Sequence, residues 1–103
     1  MDRAAEQELD RVVARAWEAA PTWAATSLHD RIGLLEALLP RVAAQAPSMV
    51  ADAAQAKGYA PTSMWAAEDW ANGPWAIAQF ASASVHVLRR IASGKPAIPP
   101  SAV

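Results

Sequence analysis

His29 and His86 are the only imidazoles in the chain and stand far apart in sequence. A helical metal site needs two ligands on one face, three or four residues apart, because only such pairs converge on one ion. His29 has Asp30 beside it and Glu36 two turns on, with no ligand at the fourth position. It reads as a helix-start histidine on a solvated face. His86 has apolar neighbours and reads as a partly buried, hydrogen-bonded imidazole. Glu68 and Asp69 are adjacent carboxylates, but neighbours on a helix point about 100° apart and do not share a proton as an acid/base pair does.

Other routes to catalysis are closed by residue type. The chain has no cysteine, which removes thiol chemistry, thiolate metal sites and disulfide staples. Its serines lie in no Gly-x-Ser-x-Gly elbow, and three of them stand where helix caps are needed. Gly33, Gly58, Gly73 and Gly94 are scattered rather than gathered into a phosphate-binding loop. No catalytic residue, metal site or cofactor is therefore expected.

The five tryptophans are the most unusual side chains. Trp65, Trp70 and Trp75 recur every fifth residue, and a break near Asn72 to Pro74 would let them converge from two helices. Read first as core, the rings supply bulk that the rest of the sequence lacks, since 27 of 103 residues are alanine. Read second as a site, Trp65, Trp70, Trp75 and Phe80 form an apolar pocket or an interface hot spot. No basic residue lies between Gly58 and Phe80, so the rings do not form a stacking platform for nucleic acid.

Charge points the same way. Nine basic and ten acidic side chains leave a net charge of −1, with no excess to neutralise phosphates or an anionic membrane surface. Charged residues follow Met1 directly, and no basic segment precedes an apolar run as in a secretory signal; no stretch is apolar enough to span a bilayer. Cytoplasmic location is expected. The partners left are a protein chain, including a second copy, or a small apolar ligand.

Strand-type alternation is absent, so an all-α fold is expected: a small bundle of about five helices, closely packed through alanine around a tryptophan-rich core. Helix one runs from the cap Asp2 to about Ala19, with Leu9, Val12, Val13, Ala16 and Trp17 on one stripe, and Pro21 ends it. Ser27 with Asp30 opens a second, whose face carries Ile32, Leu35, Leu38, Leu39 and Val42; this is the expected core helix. Pro40 should kink or break it, and Pro47 should begin a third helix ending at Gly58 in a left-handed cap. Thr62 or Ser63 caps a fourth as far as Ala71. Pro74 begins a fifth, to Ser93, stopped by Gly94 and Pro96. The charge-rich first helix should be the wettest and the last the most buried. Residues 1–96 form one domain and 97–103 a proline-containing tail.

The order of these pieces resembles the N-terminal helical segment of the aldehyde dehydrogenase superfamily. The run Trp17, Trp23, Ser27, Arg31, Leu35 and Leu38 is similar to the alanine-rich helix, tryptophan and arginine-led leucine helix of that segment. Ala56, Lys57, Gly58, Tyr59 and Ala60 match its glycine-ended helix and loop. Ser63 to Ala71 and Pro74 to Ile91 match the next two helices, and Gly94, Lys95 and Pro96 the segment after them. The similarity runs from Leu9 to about Pro100, and divergent bacterial members with Ala-Lys-Gly at this turn are most alike. Gln55, Ala56, Lys57 and Gly58 stand where the family usually has Glu-Thr-Gly-Lys.

The resemblance implies a non-catalytic helical module. The family's nucleotide-binding sheet, general-base glutamate and catalytic cysteine fall outside the segment matched, so no residue here inherits a catalytic role. Its apolar faces would associate with the rest of such a protein, with another copy or with a partner chain. The alternative is an independent helical adaptor whose tryptophan-lined groove receives a partner helix or apolar ligand.

Overall fold

The computed structural model describes residues 2–102; Met1 and Val103, the ends of the expected domain and tail, lie outside the described residues. Every regular element among them is helical: α1 (Arg3–Ala25), α2 (Leu28–Lys57), α3 (Ala66–Trp70), a π-helical segment (Ala71–Trp75), α4 (Ala76–Ala92) and a short 3-10 turn (Pro100–Ala102). Because α3, the π segment and α4 follow without interruption, the fold consists of three helical rods, not five helices.

The difference lies at the prolines. Pro21 does not end α1, which continues to Ala25. The added turn keeps its carbonyls satisfied from outside the helix, since Arg31 donates to the carbonyls of Trp23 and Ala24 at 2.9 Å each. Pro40 and Pro47 likewise lie within one continuous α2. Both are exposed and stand seven residues apart, so the carbonyls that lose a donor, on Glu36 and Ala43, belong to exposed residues that solvent can reach. Pro74 falls within the π segment, whose wider turn accommodates a residue with no N–H where a turn and a new helix start were expected.

Several local signals act as expected. Asp2 Oδ1 accepts from the Ala5 N–H at 2.8 Å and opens α1. Ser27 Oγ accepts from the Asp30 N–H at 3.1 Å and opens α2, while donating to the Asp30 carboxylate at 2.7 Å. Gly58 and Gly94 take the left-handed conformation, at φ 81° and 76°, which a side chain would oppose. Thr62 and Ser63 do not cap α3. Residues 61–65 form successive turns, α3 begins at Ala66, and no side chain caps it.

The core is a seam between α2 and the rod beyond it. From α2 it takes Ile32, Val42, Ala46, Val50 and Ala54; from the other rod, Ala66, Ala81 and Val85. Ala54 and Ala81 are completely buried. Small and β-branched side chains let the rods approach closely, as the alanine content implies, and close approach leaves no room for an indole. The core is therefore not tryptophan-rich: all five rings are between 44% and 82% exposed. Nor is the last helix the most buried, since α2 holds five buried positions and α4 two.

Helix α1 is the wettest, with no buried residue, and it packs against no other element. The radius of gyration is accordingly 18.0 Å, where a compact chain of this length measures about 13 Å.

Candidate functional site

Three polar side chains meet where α2 ends. Asp69, on α3, is the one buried charged residue among those described, at 7% exposure. Its Oδ1 lies 2.5 Å from Lys57 Nζ at the last turn of α2, and its Oδ2 accepts from Tyr59 Oη at 2.5 Å. Gly58 makes this possible, because its left-handed backbone reverses the chain between the two donors. The hydrogen bond from Lys57, and then that from Tyr59, hold the Asp69 carboxyl below its ordinary range against the opposing effect of burial. The same contact raises Lys57 and Tyr59, each chiefly through its hydrogen bond to Asp69.

Both carboxylate oxygens are thus engaged, and the depressed pKa favours the anion. The group joins the end of α2 to α3. Glu68 stays exposed, facing Asn72; the adjacent carboxylates are separated by burial as well as by angle. Sequence reasoning singled out Asp69 but missed its partners. The available signal was the only tyrosine and a helix-terminal lysine flanking a glycine.

His29 is exposed, as expected. His86 is exposed as well, a correction to its expected partial burial that follows from its place on the side of α4 away from α2. Among the described residues, no three His, Asp or Glu side chains converge on a metal-binding position. No described helix is long and apolar enough to cross a membrane.

The remaining features are apolar. A cleft of about 450 Å³ is lined by Trp23 and Leu35 on one side and Phe80, Ser84, Val87 and Leu88 of α4 on the other, with Arg31 at its edge. A second recess, also about 450 Å³, is formed by Trp70 and Trp75 with Ala67 and Ala71. Of the four residues expected to share a site, Trp70 and Trp75 do meet. Phe80 lies in the other cleft with Trp23, and Trp65 lines neither. The aromatic surface is therefore split between two places. The sequence reading ended helix one before Trp23; the cleft depends on the α1 to α2 junction that sets this one ring beside α4, which no local signal encodes.

No known family model, curated protein or solved structure matches the chain.

Proposed function

We propose that this chain is a non-catalytic helical association module, comparable to the N-terminal helical part of an aldehyde dehydrogenase-like protein, that joins a second copy or a partner chain through its apolar faces. The observation that carries this reading is surface area. The chain exposes 7895 Å², whereas a folded monomer of 10.9 kDa exposes about 5,600 Å² by the scaling for globular proteins. The excess is about 2,300 Å², the scale on which permanent complexes bury surface. Exposed Leu9, Val13, Trp17, Trp65, Trp75 and Phe80 contribute to it.

Light scattering combined with acrylamide quenching of tryptophan fluorescence tests the reading. Association accompanied by shielding of the rings supports it. A monomer whose rings are already shielded overturns it, because its faces would then be covered within one chain. Purified chain should not oxidise aldehydes with NAD or NADP; cofactor-dependent turnover would contradict a non-catalytic role.

The second reading, an adaptor with a tryptophan-lined groove, is favoured by the Trp70 and Trp75 recess, whose volume suits a small apolar ligand or one helix side chain. Saturable one-to-one binding of an anilinonaphthalene dye, lost in Trp70→Ala and Trp75→Ala, would favour it.

A further inference from the structure

This inference rests on the association reading and names the partner. We propose that the partner is a second copy of the chain, and that α1 of each protomer lies along the outward stripe of α4 in the other.

Helix α4 carries two apolar stripes. The inner one begins at Pro74 and includes Ala78, Ala81, Val85 and Leu88, all buried or half-buried against α2. The outer one is Ile77, Phe80, Ser84, Val87 and Ile91, spaced three and four residues apart, with each of its four hydrophobic members exposed. Helix α1 has a stripe of the same spacing, Leu9, Val12, Ala16, Ala19 and Trp23, and it is exposed throughout. Each stripe extends over about 21 Å at 1.5 Å per residue. Two seams of one period and one length are suited to pack as neighbouring helices of a bundle.

They do not pack within one chain. The body of α1 packs along no other element, and the bonds from Arg31 to its last turn set the direction in which it leaves α2. Only Trp23, at the end of its stripe, reaches the cleft beside Phe80 and Val87. A second copy, related by a two-fold axis, supplies an α1 for each vacant α4 stripe, and the arrangement closes with both stripes used. The surface excess of about 2,300 Å² per chain is sufficient for a permanent dimer. Charge agrees: α1 together with its cap Asp2 has five carboxylates and three arginines, while the remainder of the chain has six basic and five acidic groups.

The absence of native cysteine permits a direct test. Ala16 and Ser84 are the central residues of the two stripes, so they come close whichever way the helices run. Chains carrying only Ala16→Cys are mixed with chains carrying only Ser84→Cys and mildly oxidised, with Gln45→Cys on the outer side of α2 as control. The expected result is a mass twice that of the chain by light scattering, and a mixed disulfide formed several-fold faster than Ala16→Cys pairing with itself or with the control. Val12→Asp and Val87→Asp, both outside the intrachain core, should each weaken dimerisation by roughly tenfold or more with helical circular dichroism unchanged.

A dimer in which Ala16→Cys pairs preferentially with itself overturns the proposed packing. A monomer with tryptophans open to acrylamide overturns the second copy as partner and keeps the association reading. A monomer with shielded tryptophans overturns both.

Discussion

Arg31 holds Trp23 in two ways at once: its guanidinium lies 5.1 Å from the centre of the indole, and its Nη2 donates to the Trp23 carbonyl at 2.9 Å. Further bonds reach the carbonyls of Ala24 and Thr26. One side chain from the first turn of α2 thus closes the end of α1 and fixes the ring at the mouth of the cleft. A lysine has one charged nitrogen and no planar fork, and would not reproduce this set.

Arg31→Ala and Arg31→Lys should therefore loosen the α1 junction without unfolding the seam between α2 and α4. Hydrogen exchange read by mass spectrometry should show amides of the last α1 turn exchanging about tenfold faster. Protection around Val50 and Ala81 should remain. Loss of protection throughout the chain would mean that α1 supports the core, contrary to its lack of packing beyond the Arg31 junction.

Stability should fall at both extremes of pH because of the Lys57, Tyr59 and Asp69 cluster. The carboxyl is depressed in the folded chain, so its contribution is complete above the unfolded value of about 4 and is lost as pH falls toward the folded one. Lys57 and Tyr59 are raised. Their contribution is complete below their unfolded values of about 10 and is lost as pH rises through the folded ones. Thermal melts from pH 2 to 11 should show both declines. Asp69→Asn should flatten the two limbs and lower the melting temperature at neutral pH.

The seam should resist added volume more than its composition suggests. Ala54 and Ala81 are fully buried, so Ala81→Leu must separate the rods or force strained rotamers, at a cost of about 1–3 kcal/mol. Val50→Ala, at the most buried valine, should cost about 2 kcal/mol through lost contacts and an unfilled space. Denaturant titration measures both. A neutral Ala81→Leu would mean that the rods are less closely packed than the burial of Ala81 indicates.

Replacing Pro40 should have the opposite effect. Pro40 is exposed and interrupts one backbone bond of an otherwise continuous helix. Pro40→Ala restores the donor for the Glu36 carbonyl and should stabilise the fold by about 1–3 kcal/mol, reduced by the entropy regained in the unfolded chain. Destabilisation would show that packing against α4 needs the bend Pro40 introduces.

Local signals were legible wherever one residue acts on its own neighbours: the caps at Asp2 and Ser27, the left-handed glycines at 58 and 94, and the apolar period of α2, apart from Leu38, which was expected on the core face and is exposed. Proline misled because its effect depends on where the freed carbonyl points. Along α2 both prolines and the residues that lose a donor are exposed, so hydration can replace the lost bonds, and beyond Pro21 Arg31 supplies other donors to the helix end. The tryptophans misled for a related reason. Hydrophobic character favours burial, but the space available is set by how closely two distant segments approach, and alanine brings them too near for a ring. The Lys57 to Asp69 contact joins separate elements and was invisible for the same cause.

The π segment has a bearing on evolution as well as on packing. Ala66 and Asp69 face the seam, and an uninterrupted α-helix would continue that face through Gly73, Ile77, Phe80, Ser84, Val87 and Ile91, which is the stripe now turned outward. The single extra residue accommodated between Ala71 and Trp75 advances the phase of everything after it by about 100°, and the face beginning at Pro74 takes the inner place. A one-residue deletion there would exchange the two faces of α4. Such an indel would change the molecule's outer chemistry without altering any side chain on that helix.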